Sequence, residues 1–133
     1  MIIDTSVVLA IIGREPGHEE LEDRISEAAD LGIGAPSVLE AGIVLVARYG
    51  MRGKTFLARF LQDTNVEVLP FTAAHAEVAI DAFNRFGKGR HPAKLNLGDC
   101  HTYATAYIAR EPLLFVGDDF VHTDLDLVKL SEN

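Results

Sequence analysis

Four acidic positions in this chain, one of them doubled, stand where an α/β protein would do chemistry. Asp4 directly follows the apolar pair Ile2-Ile3. Asp118 and Asp119 follow the run Leu113-Leu114-Phe115-Val116, after Gly117. Asp99 falls in the first turn of a helical segment that begins near Leu97. Glu40 is the lone charge between Val38 and Ala47. Ile43, Val44 and Ala47 lie at i+3, i+4 and i+7 from it, on its own helical face. A carboxylate on an apolar face is costly to bury unless it is paired or bound to a metal. Carboxylates gathered at one site repel and raise one another's pKa, so a divalent cation that neutralises them holds such a group together. Oxygen-only ligands favour Mg²⁺ or Mn²⁺ over zinc. That arrangement suits the activation of water and the stabilisation of a leaving oxygen in phosphodiester cleavage, with one ion or two.

Each acid also has an ordinary reading. Asp99 at a helix start favours the macrodipole. Asp118 and Asp119 suit a turn, Asp4 suits a helix cap, and Glu40 suits a pair with a distant arginine. The combination is what points to a metal. Other chemistries find little support. No phosphate-cradling glycine motif of the Walker or dinucleotide type is present. The histidines at 18, 75, 91, 101 and 122 show no paired metal spacing. His101, two residues after Asp99, points to a different helical face and reads as structural or surface. Neither Ser6 nor Cys100 has a histidine arranged to activate it, which leaves nucleophilic catalysis unsupported.

The elements that must position these acids follow from periodicity. Ile2-Ile3 reads as a short buried strand and residues 7–12 as a helix, with Thr5 or Ser6 as its cap. Pro16-Gly17 opens an acidic helix whose Leu21, Ile25, Ala28 and Ala29 form a one-sided stripe. Residues 31–35 predict a turn and a short strand. Pro36 suits the first position of a helix to about Tyr49, stopped by Gly50. A helix over 54–63, a strand over 66–69 and a helix from a Thr72 cap to Phe86 follow. Residues 87–94 form a basic loop, and Asn96 caps a helix from 97 to about 110. A buried strand at 113–116 and a short one at 126–130 complete the reading. Short strands alternating with helices predict a parallel sheet with helices on both faces. In such folds ligands sit beyond the carboxyl ends of the strands, where these acids lie.

The chain is 133 residues long, enough for a sizeable core in a single domain. No apolar run approaches the ~18 residues of a membrane span, and no signal-peptide pattern precedes Asp4. A lone cysteine excludes an internal disulfide and fits a reducing cytoplasm. The net charge of −8 argues against a nucleic-acid partner only in total. Residues 15–30 are strongly acidic, whereas 85–94 hold Arg85, Lys88, Arg90 and Lys94, with His91 among them and no acid.

These residues resemble a known family. Met1-Ile2-Ile3-Asp4-Thr5-Ser6, Pro36-Ser37-Val38-Leu39-Glu40, Leu97-Gly98-Asp99-Cys100, and Leu114-Phe115-Val116-Gly117-Asp118-Asp119-Phe120 with Thr123-Asp124 look like PIN-domain ribonucleases. More narrowly, they look like the VapC toxins of toxin–antitoxin modules. The stretch from Gly87 to Asn96 is similar to one that precedes the third acid in many such toxins. The resemblance runs from residue 1 to about 128 and implies a three-layer α/β/α sandwich around a central parallel sheet. It implies Asp4, Glu40, Asp99 and Asp119 as catalytic and metal-holding acids. Asp118 would assist by charge, Asp124 would either support the acids from behind or be an outer ligand, and Thr5, Ser6 and Thr123 would support the acids through hydroxyls. The implied activity is Mg²⁺-dependent endoribonuclease cleavage, with Mn²⁺ as a possible substitute. A cognate antitoxin and a toxin homodimer would be the protein partners. Arg85, Lys88, Arg90 and Lys94 are then the strip for RNA phosphates. Leu45, Tyr49, Phe56, Leu57, Phe60 and Leu61 make residues 36–63 more apolar than one core contact needs, so part of that pair either faces an antitoxin helix or is all core. Two other classes remain: a non-catalytic module of the same fold, and a phosphotransfer enzyme, which needs an acid pair near the first strand where Asp4 stands alone.

Overall fold

The structure, a computed structural model, describes residues 1–89 and 91–131. Arg90, expected on the phosphate strip, lies outside the described residues. Four short strands form a parallel sheet: β1 (Ile2–Ile3), β2 (Gly32–Gly34), β3 (Glu67–Leu69) and β4 (Leu113–Leu114), in the order β3-β2-β1-β4. The connecting helices are α1 (Thr5–Ile12), α2 (His18–Glu27), α3 (Ala35–Tyr49), α4 (Met51–Thr64), α5 (Ala73–Phe86) and α6 (Leu97–Ala109).

Strand alternation makes the three layers. Successive side chains of a strand point to opposite faces. Ile3, Ile33 and Leu114 therefore pack with Val7, Val8, Leu21, Ala41, Leu45, Leu57 and Phe60 of α1 to α4. Ile2 and Leu113 point the other way, against Ala82 and Phe86 of α5 and Cys100, Tyr103 and Ala106 of α6. Ile3, Ile33, Leu113 and Leu114 are fully buried, each worth roughly 1.5–3 kcal/mol. The three-layer α/β/α expectation is met.

Several boundaries differ from expectation for local reasons. The cap of α1 is Asp4, not Thr5 or Ser6: its carboxylate accepts from the Ser6 backbone N–H. At α2 the helix ends at Glu27, and Ala28 turns extended, so Leu21 and Ile25 alone carry the predicted stripe. Between α3 and α4 the break is Gly50 alone, at φ 65°, and α4 begins at Met51. Residues 126–130 do not form a strand. Leu127 makes one bridge to Leu113, whose N–H and C=O both face that side, while Pro112 and Leu114 offer their carbonyls to β1. The inward face of α3 is Ser37, Ala41 and Leu45. Ile43 is 63% exposed, so the face shared by Glu40 is not the core face. Of the apolar set on α3 and α4, Leu45, Leu57 and Phe60 are buried, Phe56 and Leu61 partly so, and exposed Tyr49 meets Phe56 edge-on.

Candidate active site

The sheet order places β1 and β4 side by side where the chain reverses direction across the sheet, which is where an open α/β sheet forms its ligand crevice. Asp4 leaves the end of β1. Its backbone N–H donates to the Leu114 carbonyl at 3.0 Å, which fixes it beside β4. Asp4 is 9% exposed. One carboxylate oxygen, Oδ2, accepts from the Ser6 N–H at 3.1 Å. The other, Oδ1, accepts from the Thr102 hydroxyl at 2.8 Å.

Asp99 is the N3 residue of α6 and closes a capping box with Asn96. The Asn96 N–H donates to Asp99 Oδ2 at 3.1 Å, and the Asp99 N–H donates to Asn96 Oδ1 at 2.9 Å. Capping does not account for all of its environment. Burial pushes the Asp99 carboxyl up to about 6; the Asn96 bond opposes this, while Asp119, Asp4 and Glu40 push it further up. Asp119 is raised in turn by burial, then by Asp4 and Asp118. It follows Gly117, whose φ of 108° makes the sharp turn after β4. Glu40 reaches the same place from α3. A Cβ built on Gly98 would lie 2.6 Å from Glu40 Oε2, so the glycine before Asp99 is the space into which that carboxylate fits. No ion pair to Glu40 occurs among the described residues, which removes the distant-arginine reading there.

The amino-acid sequence falls within known proteins over nearly its whole length. Residues 1–125 match the PIN domain family model. Ribonuclease VapC36 of Mycobacterium tuberculosis is 46% identical over 127 residues, covering 95% of this chain and 91% of its own. The chain belongs to the PIN-domain family. Within it, the chain groups with the VapC ribonucleases. Two solved structures share the fold. M. tuberculosis VapC20, described as a toxin cleaving the sarcin–ricin loop, superposes with a TM-score of 0.79 at 18% identity, over 97% of this chain and 98% of that one. The VapBC2 complex of Rickettsia felis, bound to a fragment of its promoter DNA, gives 0.79 at 13% identity, over 98% of both chains.

In this PIN domain Asp4, Glu40 and Asp119 thus lie near enough to Asp99 for their charges to act on it, at one end of the sheet. Among the described residues no group of three or more acidic, histidine or cysteine side chains is gathered closely enough to hold a metal ion as it stands. The donor set nonetheless fits a hard divalent cation: it is all oxygen, and the mutual repulsion at Asp99 is what such a cation would relieve. Asp118 is exposed, and its backbone carbonyl accepts from Val121. Asp124 stands apart from the acids. It accepts from the Tyr103 hydroxyl at 2.6 Å and pairs with Arg85 at 3.3 Å. Burial and that bond raise the Tyr103 phenol well above its ordinary value. In the structure Asp124 thus ties the segment after β4 to α6 through Tyr103 and to α5 through Arg85. Arg85 is engaged with it and with the Phe86 ring, rather than standing free on the strip.

The expected hydroxyl support is also placed elsewhere. Thr5 donates to the Ser37 carbonyl. Ser6 accepts from the Val116 N–H, which pins the start of α1 to the end of β4. Thr123 donates to the Phe120 carbonyl. The hydroxyl that does reach an acid, Thr102, went unmarked in the sequence, because a threonine on the buried face of a helix reads as core. His101 is half-buried beside the site. Burial lowers its pKa against the pull of Glu40 and Asp4, and its Nδ1 has no partner among the described residues. Cys100 is buried, and its thiol is raised to about 11 by burial and by Asp99, which disfavours a nucleophilic thiolate. Lys88 and Lys94 are exposed on a loop held by bonds between Lys88 N–H and Leu95 C=O and between Leu95 N–H and Phe86 C=O. That loop runs directly into the Asn96 cap of α6.

Proposed function

We propose that this PIN domain, working as one unit over residues 1–133, is a divalent-metal-dependent endoribonuclease and the toxic component of a toxin–antitoxin pair. The observation that carries the reading is the placement of carboxylates from the end of β1, from α3 and from the β4 turn around the half-buried Asp99, at the crevice end of the sheet. The names of the curated relatives support a ribonuclease, and the toxin–antitoxin complexes that share the fold support an antitoxin partner.

Asp4, Glu40, Asp99 and Asp119 would hold Mg²⁺, with Mn²⁺ as a substitute. When bound, the cation supplies an activated water and charge neutralisation at the scissile phosphate. The protein's own part is to fix Asp4 and Asp99 by hydrogen bonds and to leave Asp119 on a turn beside them. Asp118 adds negative charge. Lys88 and Lys94 meet phosphates on the strip that leads into α6. The exposed side chains of Leu39, Ile43, Ile80 and Leu97 form an apolar face suited to a toxin homodimer. No helix among the described residues is long and apolar enough to cross a membrane. The free buried thiol of Cys100 favours a reducing, cytoplasmic setting.

The test is RNA cleavage by the purified chain with Mg²⁺, with EDTA, and in Asp4→Asn and Asp99→Asn variants. Cleavage should vanish in EDTA and in both variants, and growth arrest should vanish in both variants. Undiminished cleavage in both variants would sink the reading, and RNA binding that survives EDTA without any cleavage would favour a non-catalytic module.

A further inference from the structure

Asp4 is held from behind by one hydroxyl, which is itself backed by a second. Thr102 and Ser37 are each 1% exposed. Thr102 Oγ1 donates to Asp4 Oδ1 at 2.8 Å, and Ser37 Oγ lies 3.2 Å from Thr102 Oγ1. A hydroxyl has one proton to give. Thr102 gives its proton to the carboxylate, so Ser37 must be the donor in the second bond. The relay therefore runs one way, from Ser37 through Thr102 to Asp4.

The places of these residues on their helices matter as much as the bonds. Thr102 is three residues after Asp99 on α6, and Ser37 is three residues before Glu40 on α3. Residues three apart on a helix are neighbours on its surface. Each hydroxyl thus lies one turn along its helix from an acid of the site and is more fully buried than that acid. The relay joins, beneath the surface, the three elements whose acids meet above it. A second bond, from Thr5 Oγ1 to the Ser37 carbonyl at 3.3 Å, ties α1 to α3 at the same depth.

We propose that Thr102, backed by Ser37, is a positioning residue of the metal site. It fixes the direction of the Asp4 carboxylate and sets the register of α6 and α3 against β1, so that Asp4, Asp99 and Glu40 present their free lone pairs together. This rests on the metal-dependent reading given above. A hydroxyl pair that only satisfied itself in the core would leave metal binding unchanged when removed. A positioning relay would not, because groups that orient metal-holding side chains change affinity about 10–100-fold when lost.

The experiment uses the full chain, with Mn²⁺ as the probe followed by the paramagnetic resonance of the free ion, and Mg²⁺ as competitor. Thr102→Val keeps the shape and removes the hydroxyl; it should weaken Mn²⁺ binding about tenfold, and Thr102→Ser should restore it to within about threefold. Ser37→Ala, which keeps the Thr102–Asp4 bond, should weaken it by about threefold. RNA KM should stay the same, and melting in EDTA should confirm that each variant is folded. If Thr102→Val does not fold, Ser37→Ala decides: wild-type Mn²⁺ affinity in that variant overturns the relay. Wild-type affinity in a folded Thr102→Val, or equal loss in Thr102→Ser, overturns it too while leaving the metal reading standing. A wild-type chain that binds no Mn²⁺ overturns both.

Discussion

Asp4 and Asp119 lie just past the ends of neighbouring strands, β1 and β4, and the chain treats them in opposite ways. Both oxygens of Asp4 accept hydrogen bonds, and its side chain is buried. Asp119 is exposed on a turn whose sharpness comes from a glycine, and partial burial of its carboxyl, then the charges of Asp4 and Asp118, raise its pKa. One acid is set in place by the protein before any ion arrives. The other is placed by an exposed turn. An oxygen site with one rigid wall and one exposed wall can bind a hard cation and still admit a phosphate between them.

The sharpest way to break that contrast is to neutralise each acid in turn. Asp4→Asn should lower the RNA cleavage rate at least ~10³-fold, about 4 kcal/mol of barrier. Asp119→Asn should lose only ~10²-fold, about 2.7 kcal/mol, and should recover in part at high Mg²⁺. Equal, unrecoverable losses in single-turnover assays would erase the distinction. Asp118→Asn should cost less than either.

The turn that carries Asp119 is followed by Asp124, tethered to Tyr103. Tyr103→Phe removes a charge-assisted bond, and denaturant melts should show about 1.5–3 kcal/mol of lost stability. No change would mean that the tether contributes nothing to that side of the site.

Asp99 gives a pH test on the rigid side. Its folded pKa of about 6 lies above the ordinary carboxylate value of 3.8. The folded state therefore holds more proton than the unfolded state between these values, and stability falls as pH rises through that window. In EDTA, the melting temperature of Asp99→Asn should match wild type near pH 4, rise above it by pH 6.5, and stay above it at pH 8. Loss of the capping bond acts in the other direction, so a pH-independent difference would show capping to be its only role. Mg²⁺ at pH 8 should raise the wild type alone.

The smallest effects belong to the basic loop. Lys88→Glu and Lys94→Glu should each shift the slope of log binding against log salt by about 1. Arg85→Ala should do less, because Arg85 is engaged with Asp124. An unchanged slope for both lysines would remove the loop from the RNA path.

Much of this was legible before any coordinates. Capping chemistry is local, so Thr72 and Asn96 could be read as helix starts, and both close capping boxes. Glu40 was singled out for a sound reason with one wrong step. Its apolar neighbours are real, but α3 buries Ser37, Ala41 and Leu45, and leaves Ile43 in the open. Periodicity names the faces of a helix without saying which of two apolar faces the sheet will cover. Residues 126–130 failed as a strand for a similar reason, since an extended apolar stretch does not show how many ladder groups its partner has free.

The sequence by itself determined the order of the elements and the acids that end them, because a carboxylate beside a short apolar run is a local fact. Only the tertiary structure decided how those acids are held. Thr102 and Asp4 are 98 residues apart, and Ser37 and Thr102 are 65 apart. No spacing rule connects such positions. They meet because β1 and β4 pair, and because α3 and α6 pack over the same end of the sheet, which brings two buried hydroxyls behind the first acid.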